Sequence, residues 1–143
     1  MPSTDIQDLD ENLIPLAEEF LRKLKNAHLE IKVTCTYRSW KEQNDLYAQG
    51  RTRPGDIVTN ARGGQSEHNA ELNGFRSSKA FDIVPIVNGK ADWNLKSAAW
   101  LLIGNIWKSI KPIDGYYLDW YGKPGAQFSE KCHFCLKSVG HIN

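Results

Sequence analysis

The 143-residue sequence lacks the features that mark several classes of protein. Its three cysteines are an odd number and suit no disulfide framework, so we expect synthesis in a reducing cytoplasm. Eighteen basic and seventeen acidic residues nearly cancel, which leaves no charged field that would favour nucleic acid. No run of about 18 apolar residues exists, so we expect no stable membrane insertion. Heptads are also absent, and we expect a monomer.

The start of the chain, Met-Pro-Ser-Thr-Asp, has no basic segment followed by an apolar one. We therefore expect no secretory signal peptide. The length suits a single domain over residues 1–143, and the apolar content of 41% is ordinary for a globular protein. Residues 1–11 are polar, and we expect them to be frayed.

Apolar periodicity and turn signals predict three helices and four strands. The helices are predicted from Asn12, from a capping box at Ser39 to Gly50, and over 96–110; the strands over 31–37, 79–87, 116–120 and 133–137. This order predicts an α+β domain with a small, mostly antiparallel sheet flanked by about three helices. Residues 51–78 form a long polar connection, and such loops are usually functional or disordered.

Three residues have the chemistry of a catalytic metal site. His68 lies in a polar segment, His133 lies at the start of a predicted strand, and Asp82 lies inside an apolar run. A carboxylate in a buried strand is costly unless it is paired or binds a metal. Two histidines and one carboxylate would leave tetrahedral zinc a fourth position for water. Spacing alone does not establish that these residues meet.

Each candidate also has a structural interpretation. A single histidine at a strand edge more often has a structural role, and Asp82 could be a satisfied core carboxylate. Glu130 could be a surface charge. Cys132 and Cys135 form a Cys-x-x-Cys pair, but one pair without a second is a weak zinc signal.

Several segments between residues 31 and 136 have a recognisable pattern, including Tyr37-Arg38-Ser39, Leu46-Tyr47-Ala48-Gln49-Gly50-Arg51-Thr52 and Ile57-Val58-Thr59-Asn60-Ala61. These stretches resemble the L-alanyl-D-glutamate endopeptidases, which belong with the D-alanyl-D-alanine carboxypeptidases and dipeptidases in one zinc peptidase family. The family signature is Ser-x-His, then Ala-x-Asp, then an acidic residue three positions before a histidine. It is matched by Ser66-Glu67-His68, by Ala80-Phe81-Asp82, and by Glu130 with His133.

The resemblance implies a D-Ala-D-Ala carboxypeptidase/Hedgehog-like fold and a zinc ion held by His68, Asp82 and His133. It implies that Glu130 is the general base and that Arg38 stabilises the oxyanion or holds a substrate carboxylate. A surface salt bridge is the structural alternative for Arg38.

Further residues are assigned smaller roles. Ser66 and Gln43 are candidates for positioning the substrate, and Asp119 and Trp120 for lining the cleft or orienting a zinc histidine. The other tryptophans considered are expected to be core or packing residues: Trp40, Trp93, Trp100 and Trp107.

The implied function is zinc-dependent cleavage of the L-alanyl-D-glutamate bond in peptidoglycan stem peptides, and we expect a phage endolysin. The alternatives are a D-alanyl-D-alanine carboxypeptidase and a non-catalytic zinc-containing binding domain. The implied partner is bacterial peptidoglycan. We expect synthesis in the host cytoplasm and action in the periplasm or on the cell wall after release; an effector exported by a dedicated machine is equally compatible.

One departure from the family lies between the first histidine and the aspartate. Thirteen residues separate His68 from Asp82, whereas relatives have six. Residues 69–78 therefore look like an inserted loop, and Ser78 occupies the usual glycine position. A longer loop costs little closure entropy, so both ligands can still meet. Within the insertion, Glu71 is a rival oxygen ligand.

Overall fold

The computed structural model describes residues 1–123 and 131–141. The described residues contain three α-helices, seven strands and three short 3-10 helices. The α-helices are α1 (Ile14–Asn26), α2 (Trp40–Ala48) and α3 (Ala98–Trp107). The strands are β1 (Ile31–Cys35), β2 (Glu71–Leu72), β3 (Phe75–Arg76), β4 (Ala80–Val87), β5 (Lys90–Ala91), β6 (Tyr116–Trp120) and β7 (His133–Ser138). The 3-10 helices are Ile6–Asp8, Glu67–Asn69 and Val139–His141.

The main sheet has the order β1-β4-β7-β6, and β5 pairs with the end of β4. Each of these strand pairs is antiparallel, which confirms the predicted α+β domain with a small antiparallel sheet and three helices. Because β4 is central, Asp82 has a neighbour on each side, Cys35 in β1 and His133 in β7. A register irregularity lies between Val33 and Cys35, and such bulges redirect side chains beside functional sites.

An aromatic core fills the face of the sheet that packs against the helices. The ring of Phe134 stacks on Trp120 at 5.8 Å and on Phe81 at 5.6 Å, and Phe20 of α1 meets it at 4.8 Å. Side chains alternate along a strand, so the neighbour His133 faces the opposite side of β7. The alternation separates an apolar layer from a polar layer.

The helices lie close to their predicted positions, although α3 is shorter than the predicted 96–110. In α1 the buried side chains follow helical spacing: Leu16, Ala17, Phe20 and Leu24. Pro15 lies in the first turn of α1, where its missing N–H is no loss. In α2, Ser39 and Glu42 form the predicted reciprocal capping box. None of the helices within residues 1–123 and 131–141 has the length and apolar character needed to cross a membrane.

The expectation that residues 1–11 are frayed is wrong. Ser3 exchanges two backbone hydrogen bonds with the chain after β1, at Thr36 and Tyr37. Leu9 is buried in the core, and Ile6 packs against it. The polar composition concealed these two apolar anchors, which hold the segment against the core while Ser3 bonds to the chain after β1.

Residues 69–78 were expected as a loop, but they contain a β-hairpin of β2 and β3. Asn73 and Gly74 both have positive φ, 53° and 79°, as a two-residue hairpin turn requires. Glu71 accepts a hydrogen bond from the Tyr37 hydroxyl at 2.7 Å. Arg76 pairs with Asp8 at 3.0 Å. The hairpin is therefore fastened to the body of the domain at both strands.

Two of the four tryptophans expected to be core or packing residues lie on the surface. Trp40 and Trp93 are 58% and 56% exposed, whereas Trp100 is buried. Trp40 begins α2 and rests against the turn at Gly64, where an added Cβ would come within 2.7 Å of the indole. Helical periodicity did not reveal this, because the first residue of a helix can lie beside a loop rather than on the core.

We predict that Phe134→Ala lowers the free energy of unfolding by about 3–5 kcal/mol, because the ring is fully buried between other aromatic rings. Phe75→Ala is the matched control, since this phenylalanine is exposed on the hairpin. Urea denaturation followed by circular dichroism would compare the two variants. Similar losses in both would contradict the assignment of the core.

Candidate metal centre

The fold brings together the three side chains that the sequence singled out as metal ligands. Nε2 of His68 lies 3.3 Å from Oδ1 of Asp82, and Nδ1 of His133 lies 3.0 Å from the same oxygen. The two imidazole rings meet edge to face with centroids 5.1 Å apart. All three side chains are mostly buried on the polar face of the sheet.

The short 3-10 helix Glu67–Asn69 sets the position of His68. Ser66 caps this helix by accepting a hydrogen bond from the backbone N–H of His68 at 3.2 Å. The side chain of Asn69 donates to the carbonyl of Arg38 at 2.7 Å, and the Arg38 N–H donates to the carbonyl of His68 at 2.9 Å. These bonds tie the segment that carries His68 to the end of β1.

The hydrogen bonds of His68 determine its tautomer. Nδ1 lies 2.8 Å from the carbonyl oxygen of Thr36, which can only accept, so Nδ1 carries the proton and donates it. A neutral ring then presents a lone pair at Nε2. That atom is buried, faces the Asp82 carboxylate and forms no hydrogen bond with a described residue. A lone pair facing a carboxylate is repulsive unless a cation lies between them.

His133 also directs a ring nitrogen at the Asp82 carboxylate, and its tautomer decides whether that nitrogen carries a proton or a lone pair. Nε2 lies 3.1 Å from Oε1 of Glu67, and Nδ1 lies 3.0 Å from Oδ1 of Asp82. A neutral imidazole has one proton and cannot donate to both carboxylates. If Nε2 holds it, Nδ1 presents a second lone pair at Asp82. Two imidazole nitrogens and one carboxylate oxygen then converge, and this donor set fits a metal ion.

Two separate groups of potential ligands lie in this region. Cys35, His68 and Asp82 form one group, and Glu67, His133 and Cys135 form the other; the ligand atoms within each group lie within 4.8 Å of one another. Cys132 belongs to neither group, so the Cys-x-x-Cys knuckle gains no support.

Without a metal, protons supply the positive charge. Burial opposes a charge on both rings, but the Asp82 carboxylate outweighs it and raises the pKa of His68 to about 9 and that of His133 to about 12. Burial would raise the pKa of Asp82, yet the two imidazoles hold it well below its usual range. The site therefore has the electrostatics of a cation site.

The sulfur of Cys35 lies between Arg38 and His68 and contacts both side chains. The Cys35 sulfur is 3.5 Å from Nδ1 of His68 and 3.4 Å from a terminal nitrogen of Arg38. The other terminal nitrogen donates to Gln43 at 3.0 Å, and the Nε of Arg38 is buried without a hydrogen-bond partner among the described residues. No carboxylate in the described part of the chain pairs with this guanidinium, so the surface salt bridge considered for Arg38 is not found there.

The two residues proposed to position substrate have structural contacts. Gln43 is only 1% exposed, and its amide also donates to the carbonyl of Ala61 at 2.9 Å. The side chain of Gln43 is therefore enclosed while it holds Arg38, and its role in positioning substrate stays a prediction. Ser66 is partly exposed, and its hydroxyl caps the helix that carries His68.

The remaining sequence candidates have different outcomes. Glu130, the expected general base, lies outside the described residues. Glu71 is bonded to Tyr37 and belongs to neither ligand group, so it is not a rival ligand. Asp119 accepts from Lys123 at 2.5 Å rather than from a histidine of the site, and Trp120 is a core residue.

Sequence reasoning missed Glu67, although it lies inside the Ser-x-His motif. Oε1 of Glu67 accepts from the Tyr121 hydroxyl at 2.7 Å as well as contacting His133. Burial opposes the charge of Glu67, but these two partners outweigh it and lower its pKa to about 2. A carboxylate directly before a candidate ligand was the available signal.

The comparison with protein families decides where this chain belongs. The family model VanY, described as D-alanyl-D-alanine carboxypeptidase, matches residues 6–96, which is more than half of the chain. The chain is a member of this family. The part of the chain that matches the VanY family model includes His68 and Asp82 and ends before His133.

Curated and solved relatives agree with the VanY assignment. CwlK of Bacillus subtilis (strain 168), a peptidoglycan L-alanyl-D-glutamate endopeptidase, is 43% identical over 73 residues. That match covers 47% of this chain and 44% of CwlK, so it spans less than half of the relative.

Two solved structures share the fold. The LdcB LD-carboxypeptidase has a TM-score of 0.60 at 17% identity, with coverage of 92% of this chain and 60% of LdcB. The L-Ala D-Glu endopeptidase ChiX of Serratia marcescens has a TM-score of 0.54 at 14% identity, with coverage of 96% and 90%. The chain therefore has the D-Ala-D-Ala carboxypeptidase-like fold.

We predict that the metal-free protein loses stability as the pH rises from about 6.5 towards 9. His68 has its ordinary pKa of 6.5 when unfolded and about 9 when folded, so the folded state binds more protons in this window. Urea unfolding in the presence of a chelator would measure the change. Asp82→Asn should flatten the curve; a wild-type protein that gains stability over this range would contradict the assigned charges.

Proposed function

We propose that this protein is a zinc-dependent peptidoglycan hydrolase that cleaves the L-alanyl-D-glutamate bond of stem peptides. The observation that carries the proposal is the contact of both His68 and His133 with one carboxylate oxygen of Asp82 in a VanY-family fold. The 43% identity to CwlK favours the endopeptidase activity among those that the family includes.

Zinc is the metal that this donor set favours, because two imidazoles and one carboxylate are a common catalytic zinc set with one position left for water. His68 would bind through Nε2, His133 through Nδ1 and Asp82 through Oδ1. The Thr36 carbonyl holds the required tautomer of His68. Bound zinc supplies Lewis acidity, which activates water and polarises the scissile carbonyl.

Glu130 is proposed as the general base. It precedes His133 by three residues, so the same short segment carries the base and a ligand. Its carboxylate takes a proton from the attacking water as oxygen bonds to the alanine carbonyl carbon, and passes it to the glutamate nitrogen as the C–N bond breaks. The products are a free alanine carboxyl and a free glutamate amine.

Arg38 is proposed to bind the oxyanion or a substrate carboxylate. A guanidinium suits both tasks because its N–H groups form a planar fork. Gln43 fixes one arm of this fork, and the uncompensated charge lies close to His68 through Cys35. Arg38→Lys would keep the charge but lose the fork.

A groove beside the site is proposed to hold the stem peptide. Its volume is about 530 Å³, and it extends from Glu67 and Ser66 past Glu71 to the exposed Trp40. Hydrogen-bonding groups and an aromatic surface suit a peptide with alternating polar and methyl groups. Ser66 lies in this groove, so a contact between its partly exposed side chain and substrate remains part of the proposal.

The proposed biological role is that of a phage endolysin, made in the host cytoplasm and acting on the cell wall after release, as a monomer. This setting would require no membrane insertion by the enzyme itself. A D-alanyl-D-alanine carboxypeptidase is the second candidate, because that activity gives the family model its description.

Mass spectrometry of purified peptidoglycan digested with the zinc-loaded protein would test the proposal. We expect fragments with new L-alanine carboxyl ends and D-glutamate amino ends, and their loss when a chelator is added. Released D-alanine would instead support the carboxypeptidase. Zinc binding without any cleavage would overturn both activities and leave a zinc-containing binding domain.

We predict that Glu130→Gln lowers kcat by about 10²- to 10⁴-fold, the usual contribution of general acid-base catalysis, while zinc binding is retained. The amide has the shape of the carboxylate but cannot take the proton. Zinc content by atomic absorption and kcat on isolated muropeptides would be measured together. Glu18→Gln, on helix α1, is the control; full activity of Glu130→Gln would rule out the base.

A further inference from the structure

The carboxylate of Glu67 lies on the far side of His133 from the proposed metal position. Its Oε1 contacts Nε2 of the ring at 3.1 Å, while Nδ1 faces Asp82. Tyr121 donates to the same Oε1, and Lys137 lies 3.6 Å from Oε2. The proposed reaction assigns no role to this group of three partners around one carboxylate.

The imidazole of His133 is thus held between two carboxylates, one at each nitrogen. An ionised Glu67 carboxylate has no proton to donate and can only accept a hydrogen bond. It therefore stabilises the tautomer of a neutral His133 ring that carries its single proton on Nε2. Nδ1 is then left with its lone pair directed at the point shared with Asp82 and His68. A carboxylate behind a histidine ligand fixes the tautomer and the orientation of the ring, and it raises the basicity of the ligand.

We propose that Glu67 is a positioning residue that selects the Nε2–H tautomer of His133 and thereby prepares Nδ1 for zinc. The inference rests on the metal site of the proposed function. It assigns Glu67 no proton transfer.

The surroundings of Glu67 favour this role over that of a base or a ligand. Both carboxylate oxygens already have partners, Tyr121 and His133 at Oε1 and Lys137 at Oε2. The backbone carbonyl of Glu67 also accepts from the Lys79 N–H at 3.0 Å, which fixes the segment beside β4.

Glu67 also connects the two halves of the site. It precedes His68 in the 3-10 helix Glu67–Asn69, and its side chain reaches His133 in β7. The ring of Tyr121 lies 4.5 Å from that of His133 and braces the contact. The same carboxylate therefore couples the position of one histidine to the tautomer of the other.

Zinc affinity, measured by competition with a chromophoric chelator, tests the inference without any need for activity. We expect Glu67→Ala to raise the Kd for zinc by roughly 10- to 100-fold, the usual effect of losing such a partner. Glu67→Gln keeps an acceptor oxygen and should recover part of the loss. Tyr121→Phe should have a smaller effect than Glu67→Ala, because the contact between Glu67 and His133 remains.

Glu71→Ala is the matched control. It removes another carboxylate that accepts from a tyrosine hydroxyl at 2.7 Å, but this one has no contact with either histidine. We expect wild-type zinc affinity for this variant. Thermal unfolding of every variant in chelator would establish that the differences in Kd are measured on folded protein.

Long-range ¹H–¹⁵N spectra of the zinc-loaded protein report the tautomer directly. We expect a protonated, slowly exchanging Nε2 on His133 in the wild type and in Glu67→Gln. In Glu67→Ala the proton stays on Nε2 while zinc occupies Nδ1, but it loses its acceptor, so we expect faster exchange with solvent and a broadened signal. A merely structural role for Glu67 would leave this signal unchanged.

Three results would overturn the inference. The first is wild-type zinc affinity in Glu67→Ala, and the second is an unprotonated Nε2 in the zinc-loaded wild type. The third is a stoichiometry of two zinc ions that falls to one in both Glu67→Ala and Cys135→Ser, because Glu67 would then be a ligand. Each result concerns binding alone, so a failure to cleave peptidoglycan would count against the proposed function and not against this inference.

Discussion

The domain depends on a buried carboxylate in the middle of its sheet. Asp82 occupies the central strand, and a charge at that position would be costly without compensation. His133, its register partner in β7, offsets this cost from one side. His68, in the 3-10 helix Glu67–Asn69, contacts the same carboxylate. The two histidines of the site therefore offset the cost of burying a charged side chain in this strand.

The sheet serves two purposes because its side chains alternate. Phe81 and Phe134 stack towards the helices, while their neighbours Asp82 and His133 meet on the opposite face. A rigid aromatic layer directly beneath the polar one leaves the strands little freedom to shift. The distances among the candidate ligands are therefore set by core packing, as precise ligand geometry requires.

Much of this arrangement could be predicted from the sequence. The long periodic helices, the central strand and the capping box at Ser39 follow from local patterns, and the structure has them close to the expected bounds. The convergence of His68, Asp82 and His133 could be anticipated only through the family signature, because their meeting depends on strand register rather than on spacing along the chain.

Other features could not be predicted because they depend on contacts between distant segments. The first residues look disordered by composition, yet Leu9 finds a place in the core and Ser3 finds a strand edge. Gln43 looks available to substrate, but Arg38 and the carbonyl of Ala61 enclose it. The hairpin differs from these features, because its Asn73-Gly74 turn is a local signal in the sequence. Its short strands, however, carry little apolar alternation.

The anchoring of the hairpin separates two kinds of evolutionary constraint. Glu71 and Arg76 bind it to the domain, whereas Leu72 and Phe75 project into solvent beside the turn. Replacement of the projecting side chains would disturb neither the anchors nor the three converging ligands. Natural selection, or a designed library, could therefore change what the tip of the hairpin contacts without a loss of stability or of metal affinity.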